Sequence, residues 1–357
     1  MNLLIFQPKT RSFTYSFFSW DQQKLIFEAK IDNFAGIACQ ENEWMDALSE
    51  IKQRCQQTGQ IDAIILRSLF GGDVFAGPAV VDASVIDKLE DLIPQAPMHL
   101  PGMLHLIKCC NNALPKIPMI IVFETSFFSE LPERERTYAI SPAIMSKMNI
   151  RRYGSKGICH QAACSMVSRE LRNESKDFSP RIISICLESQ PEVAAVKGRR
   201  VLMVTKGIPG ETICGQMDPS VVLTLSEAAG WGPEKINAAL TKESGLLGLT
   251  GKAVTLEDVF TKDKPEFIQA RQICEYRLLS ACGAAIAAMG GIDAIVFSGR
   301  FVNLGDILGP YLVLKLMIAL GSQANKIRFY SLKEPKAVSI VNAASINTFF
   351  NKSMSPC

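Results

Sequence analysis

Three short apolar runs, each closing on a turn, set the tightest limit on what this chain can fold into. Residues 62–66 (DAIIL), 119–123 (MIIVF) and 294–297 (AIVF) are too brief for helices and too apolar for loops, so they read as buried strands. Longer amphipathic stretches separate them, and buried strands need helices over their faces, which predicts an α/β fold of layered sheets. Residues 1–6, 13–18 and 24–31 read as consecutive strands joined by turns, and 181–187 and 200–205 as two more. A helix starts at Pro219 behind Asp218, and the longest helix runs over 265–289 up to Gly290-Gly291. The strand at 294–297 then enters Ser298-Gly299, the kind of glycine turn at which nucleotide phosphates meet an α/β sheet.

At 357 residues the chain exceeds one ordinary folding unit, so two domains are the natural division; without a low-complexity linker, we place them at 1–154 and 155–357. Hydrophobic residues at 48% against charged residues at 20% exclude a disordered chain. The 38 basic and 35 acidic residues leave a net charge of +3, and Arg151-Arg152 and Arg199-Arg200 are isolated pairs, so no nucleic-acid surface is forecast. Pro8, Lys9 and Arg11 interrupt the amino-terminal run, which reads as a strand and not as a signal peptide. The weakly polar stretch 278–291 is too short to cross a bilayer. The expectation is a soluble cytoplasmic protein whose eleven scattered cysteines are reduced thiols without zinc-site spacing.

The segment 123–154, FETSFFSELPERERTYAISPAIMSKMNIRRYG, resembles one in the acetate kinase family. That family segment carries an Asp-Thr-Ala-Phe-His motif, ends in Gly-Ile-Arg-Arg-Tyr-Gly, and matches without a gap. Further similarity follows in order at RSLFGG (67–72), HLP (99–101), MDP (217–219), KESGLLGLTG (242–251) and 293–299. The resemblance implies the actin-like ATPase fold, with two similar βββαβαβα domains around an interdomain cleft. It also implies ATP and Mg²⁺ as cofactors, a small carboxylate or acyl substrate, a homodimer, and a carboxy-terminal helix near 339–351 that crosses back onto the first domain.

Moving a phosphoryl group onto a carboxylate brings two anions together, so such a site needs cations and N–H donors. By resemblance, Arg67 matches an arginine that holds the carboxylate and the transferring group. Glu124 matches an aspartate placed near magnesium or the attacking group, and is thus also the metal candidate. Lys156 stands where the family has a phosphoryl-stabilising histidine. His99 matches a histidine near the acyl site, although a histidine among prolines also suits a packed turn. His160 matches the second histidine of His-Gly-Thr-Ser-His, where a packing role is the stronger reading. Gly215, Gly299 and Asn303 are the positions left for nucleotide.

The chain departs from the family wherever a turn would face phosphate. The first turn is Gln7 to Ser12 in place of Asn-Ala-Gly-Ser-Ser-Ser, and Glu188 and Glu192 enter the turn after 181–187. The loop 207–219 is shortened, which sets Ile213 at the second family arginine, and Asn303 replaces a glutamate implicated in metal binding. Three readings follow: a carboxylate kinase with impaired or redirected transfer to an acyl group other than acetate, with Ser155 and the short loop widening the pocket; an inactive pseudokinase that binds a partner or pairs with an active homologue; and a nucleotide-independent acyl-group enzyme using Cys159 or Cys214.

Overall fold

Aromatic and β-branched residues crowd the first 32 positions, and in the computed structural model they pair as a meander. The structure describes residues 1–8, 12–32, 41–144, 150–172 and 179–344. Strand β1 (Asn2–Pro8) lies antiparallel to β2 (Ser12–Ser19), and β2 to β3 (Lys24–Asp32). Pro8, expected in the turn, instead closes β1 opposite Phe13; the turn residues 9–11 are outside the described residues. β4 (Ala63–Ser68) runs parallel to β1, β6 (Met119–Phe123) parallel to β4, and the two-residue β5 (Ala79–Val80) forms the edge. The sheet order is β3-β2-β1-β4-β6-β5.

The second sheet repeats this plan. β7 (Arg181–Cys186), β8 (Glu192–Lys197) and β9 (Arg200–Thr205) form an antiparallel meander. β10 (Ala294–Ser298) and β11 (Arg328–Ser331) then add in parallel, in the order β11-β10-β7-β8-β9. The order 3-2-1-4-6 of the first sheet thus recurs as 9-8-7-10-11 with the same strand senses. One α/β plan is used twice.

The chain divides into two units, Met1–Ser129 with Arg136–Ile158 and Glu334–Cys357, and Glu130–Glu135 with Cys159–Lys333. The boundary expected at 154/155 falls at 158/159, because Ile158 is buried in the first unit's core beside Ile65 and Val122. Period-two alternation gives the first sheet two apolar faces. Ile64, Leu66 and Ile121 face a cluster with α1 (Glu41–Gln56), α2 (Ala83–Asp91) and α3 (Leu100–Ala113). Ala63, Ile65, Ile120 and Val122 face Ala337, Ile340 and Val341 of α7 (Lys336–Ala343). Thus α7 belongs to the first unit; beyond 344 the helix expected at 339–351 is outside the described residues.

In the second unit, α5 (Pro265–Met289) and α6 (Gly305–Leu320) cover one face of the sheet. Residues 302–326 around α6, and not 278–291, are the one stretch among the described residues that is long and apolar enough to cross a membrane. Leu308, Leu312 and Leu316 of that stretch are packed in the unit's core, while Ile307, Leu314 and Ile318 are exposed.

Candidate functional site

Two charged residues at the ends of the first sheet's parallel strands meet because those strands end together. Arg67 is the fifth residue of β4, and Glu124 follows directly on β6, which pairs with β4 in register Arg67↔Val122. The Glu124 N–H still donates to the Ser68 carbonyl at 3.0 Å, which extends the ladder by one residue. Alternation aims both side chains to the face carrying Ile65 and Val122. Arg67 is 4% exposed and Glu124 is fully buried.

Arg67 Nε donates to Glu124 Oε1 at 2.5 Å, and Arg67 Nη2 pairs with the same oxygen. The Ile158 N–H donates to Oε2 at 2.9 Å, and Lys336 Nζ stands 3.9 Å from Oε1. Burial by itself would raise the Glu124 carboxyl; Arg67, Lys336, the Ile158 N–H and Lys156 together outweigh it and hold the group below its usual range. The structure thus brings Arg67, Glu124 and Lys156 together, as three of the five candidates. Lys336 is the addition that the sequence reading missed. A signal existed: Lys336 opens a helix, where the helix dipole disfavours a cation.

Close packing fixes the segment that delivers Ile158. A Cβ on Gly157 would fall on the Glu124 carbonyl oxygen, and one on Gly154 would fall inside the Phe128 ring. Asp73 pairs with Arg136 and, at 3.7 Å, with Arg151, while Tyr153 meets Phe70 edge-on at 5.3 Å. His99 stands at the head of α3 without capping it through its side chain.

His160 lies on α4 (Gly157–Arg172) and belongs to the second unit, fully buried. Its Nδ1 is 2.8 Å from Ser184 Oγ on β7, and its Nε2 is 3.4 Å from Glu192 Oε1 on β8. Glu192, expected to face phosphate, is 1% exposed; it pairs across the sheet with Cys186, on the same face as Ser184. Cys164 shares the Ser184 hydroxyl, and its burial pushes the thiol up to about 12, against that hydrogen bond. Cys159, the expected nucleophile, is buried one residue from His160 on the same helix, about 100° around its axis. We predict that His160→Leu, which strips a polar partner from both Ser184 and Glu192, lowers stability by about 3 kcal/mol. His160→Gln should recover part of this in a thermal melt; equal losses would discard a hydrogen-bonding role.

The expected nucleotide turns pack on one another. The Phe301 N–H donates to the Leu187 carbonyl at 2.9 Å, the Glu211 N–H to Ser189 at 2.6 Å, and Gln190 Nε2 to Lys206 at 3.1 Å. Gly299 at φ +90° passes so close to Leu187 that a Cβ would lie 2.8 Å from its carbonyl oxygen; Gly215 at φ +75° similarly abuts Gly207. Asn303 is exposed in a short 3-10 turn, and the Ile213 carbonyl accepts from the Gly210 N–H at 2.9 Å. Burial raises the Glu211 carboxyl; Arg300, 3.7 Å away, opposes this, while Glu188 and Asp258 add to it. Such a gathering of carboxylates suits a phosphate chain poorly.

A doubly used three-strand meander with parallel strands added beside it, and charged residues at the ends of those parallel strands, places the chain in the duplicated actin-like ATPase fold class. The crystal structure of Porphyromonas gingivalis acetate kinase superposes with a TM-score of 0.82 over 97% of this chain and 99% of that one, at 24% identity. The model of the acetokinase family matches residues 7–345, and the chain belongs to that family. Acetate kinase of Thermoanaerobacter pseudethanolicus is 29% identical over 318 residues, 85% of this chain and 75% of that protein. Acetate kinase of Thermosipho melanesiensis is 32% identical over 278 residues, 75% and 68% of the two chains.

Proposed function

We propose that this acetokinase-family chain handles a small carboxylate other than acetate, with ATP-dependent phosphoryl transfer impaired or redirected. The observation that carries the reading is the Glu124 carboxylate lying on Arg67, with Lys336 3.9 Å away and Lys156 adding positive charge. A carboxylate already held by Arg67, Lys336 and Lys156 is a poor ligand for Mg²⁺, and the second unit's carboxylates oppose nucleotide phosphates. The residues at these positions therefore fit Mg²⁺ and ATP badly. By resemblance Glu124 also places its carboxylate one methylene beyond the family aspartate, and misplacement by about 1 Å costs catalysis on the order of 10²-fold.

The purified chain, given ATP, Mg²⁺ and a panel of carboxylates with hydroxylamine as trap, should form acetohydroxamate at least about 10²-fold more slowly than the T. pseudethanolicus relative. Acetate turnover at the relative's rate would overturn the proposal. The acidic second-unit turns favour a second reading, a pseudokinase that binds a partner. Hydroxamate from none of the carboxylates, with no calorimetric binding of ATP or ADP, would favour it. The homodimer and the cytoplasmic location implied by the family belong to the same proposal.

A further inference from the structure

We propose that the outer face of α6 docks the second unit on a bilayer surface rich in anionic lipid. The inference is independent of how Arg67 and Glu124 are read. A surface helix ordinarily turns a polar face to water, and a helix apolar all round is ordinarily buried. Neither holds for α6. At about 100° per residue, Leu308, Leu312 and Leu316 share the face packed into the core, while Ile307, Tyr311, Leu314 and Ile318 line up within about 60° of one another on the far side. Leu314 is 65% exposed and Ile318 is 85% exposed; Ile307 is exposed and Tyr311 half-buried. Clustered apolar surface of this kind marks an interaction site, and the charge around it selects the partner. Residues 302–333 hold Lys315, Lys326, Arg328 and Lys333 against Asp306 alone, and all five are exposed. That surplus equals the net charge of +3 of the whole chain, so the rest of the sequence is balanced. Glu275 and Asp293 lie close enough to Lys315 and Arg328 to offset them in part. Lys326 and Lys333 lie beyond the carboxyl end of α6, at and after the 3-10 turn Gly321–Lys326.

The inner face of α6 excludes a membrane span, because Leu308, Leu312 and Leu316 would have to leave the second unit's core. Lying in the plane of the surface needs only the outer stripe: its apolar residues sink about 5–10 Å into the headgroup boundary, and neighbouring lysines and arginines meet anionic lipid. Tyr311 sits on the stripe with the Lys315 ammonium 5.9 Å from its ring centre, and tyrosine is a residue favoured at that depth. A protein partner fits less well. From Ile307 to Ile318 the stripe is about 17 Å long and about 10 Å wide, a footprint of about 170 Å², against about 800 Å² per side in a standard protein interface. A second copy of the chain would also set the same positive surplus against itself.

The test is flotation of the full chain in about 0.1 M salt with vesicles of phosphatidylcholine, either alone or with about 30% phosphatidylglycerol. The anionic vesicles should bind at least about tenfold more tightly, and about 0.5 M salt should remove most of that difference. Leu314→Glu combined with Ile318→Glu should weaken binding to the anionic vesicles at least about tenfold, and Lys315→Gln combined with Lys326→Gln at least about threefold. All four positions are exposed, so a thermal melt within about 2 °C of the unaltered chain is expected for both double variants. Leu314→Trp supplies a reading that needs no loss of binding: its added fluorescence should shift to the blue with anionic vesicles and stay in place with neutral ones. The inference is overturned if neither vesicle is bound, if the two are bound alike, if the paired glutamates leave binding unchanged, or if the added tryptophan does not respond. It is equally overturned if the paired glutamates split an oligomer of the unaltered chain in lipid-free light scattering, since the face would then belong to a second copy.

Discussion

Arg67→Met is expected to lower the unfolding free energy of the first unit by about 3–5 kcal/mol at pH 7, the loss usual when one partner of a buried ion pair is removed. Methionine keeps most of the apolar stem, so the loss reports charge and hydrogen bonding rather than an empty volume. The pH dependence carries the sharper test. The folded-state pKa of Glu124 lies below its ordinary 4.5, so its contribution to stability is complete above the unfolded value and is lost as pH falls through the folded one. Without Arg67 the largest stabilising charge beside the carboxylate is gone and burial dominates, so Glu124 takes up its proton at higher pH. The gap between the two proteins should be widest near neutrality and should narrow as pH falls through the raised pKa of the variant and on toward the depressed one of the unaltered chain. Urea unfolding at pH 7 and pH 4, followed through the first-unit core around the buried Trp44, reads both quantities. A gap equal at the two pH values would mean that Arg67 acts by packing alone.

The pair illustrates what could and could not be read from the residues. Strands 119–123 and 294–297 were legible because nothing but a buried strand suits so short an apolar run, and the structure places β6 and β10 there. Arg67 and Glu124 were visible as polar residues at strand ends. Their mutual engagement was not, since it depends on the parallel register of two strands more than 50 positions apart. The helix α4 was missed at a glycine start, although His160, Ala163, Cys164, Val167 and Leu171 follow the spacing of one buried helical face. Missing α4 also hid the role of Glu192, because only a helix over the second sheet brings a histidine above β8. Lys336 carried only the weak signal of a cation at a helix start, and its partner could not be read from its neighbours because the charge faces Glu124, far off in the chain.

Gly157→Ala should be nearly as damaging as loss of Arg67, although it adds a single methyl group and touches no charge. The new Cβ would lie on the Glu124 carbonyl oxygen, 2.9 Å from Phe127 Cβ and 3.0 Å from the Glu124 carbonyl carbon. Most of that obstacle is backbone at the end of β6, which cannot swing aside as a side chain would. The start of α4 must therefore move, and the Ile158 N–H moves with it, away from Glu124 Oε2. Overpacking of this kind costs about 1–3 kcal/mol. A hydrogen bond to a buried carboxylate adds about 1.5–3 kcal/mol, so a total near 4 kcal/mol is expected. Gly283→Ala supplies the contrast: it lies exposed within α5 with nothing within 4 Å of the added Cβ, and helix preference alone should stabilise it by about 1 kcal/mol. Opposite signs for the same substitution would show that contact with the Glu124 backbone, and not glycine's freedom, decides the outcome at 157. Hydrogen exchange at Ile158 gives the local reading: its amide should lose protection in Gly157→Ala and keep it in Gly283→Ala. Unchanged protection in Gly157→Ala would detach the Ile158 N–H from Glu124.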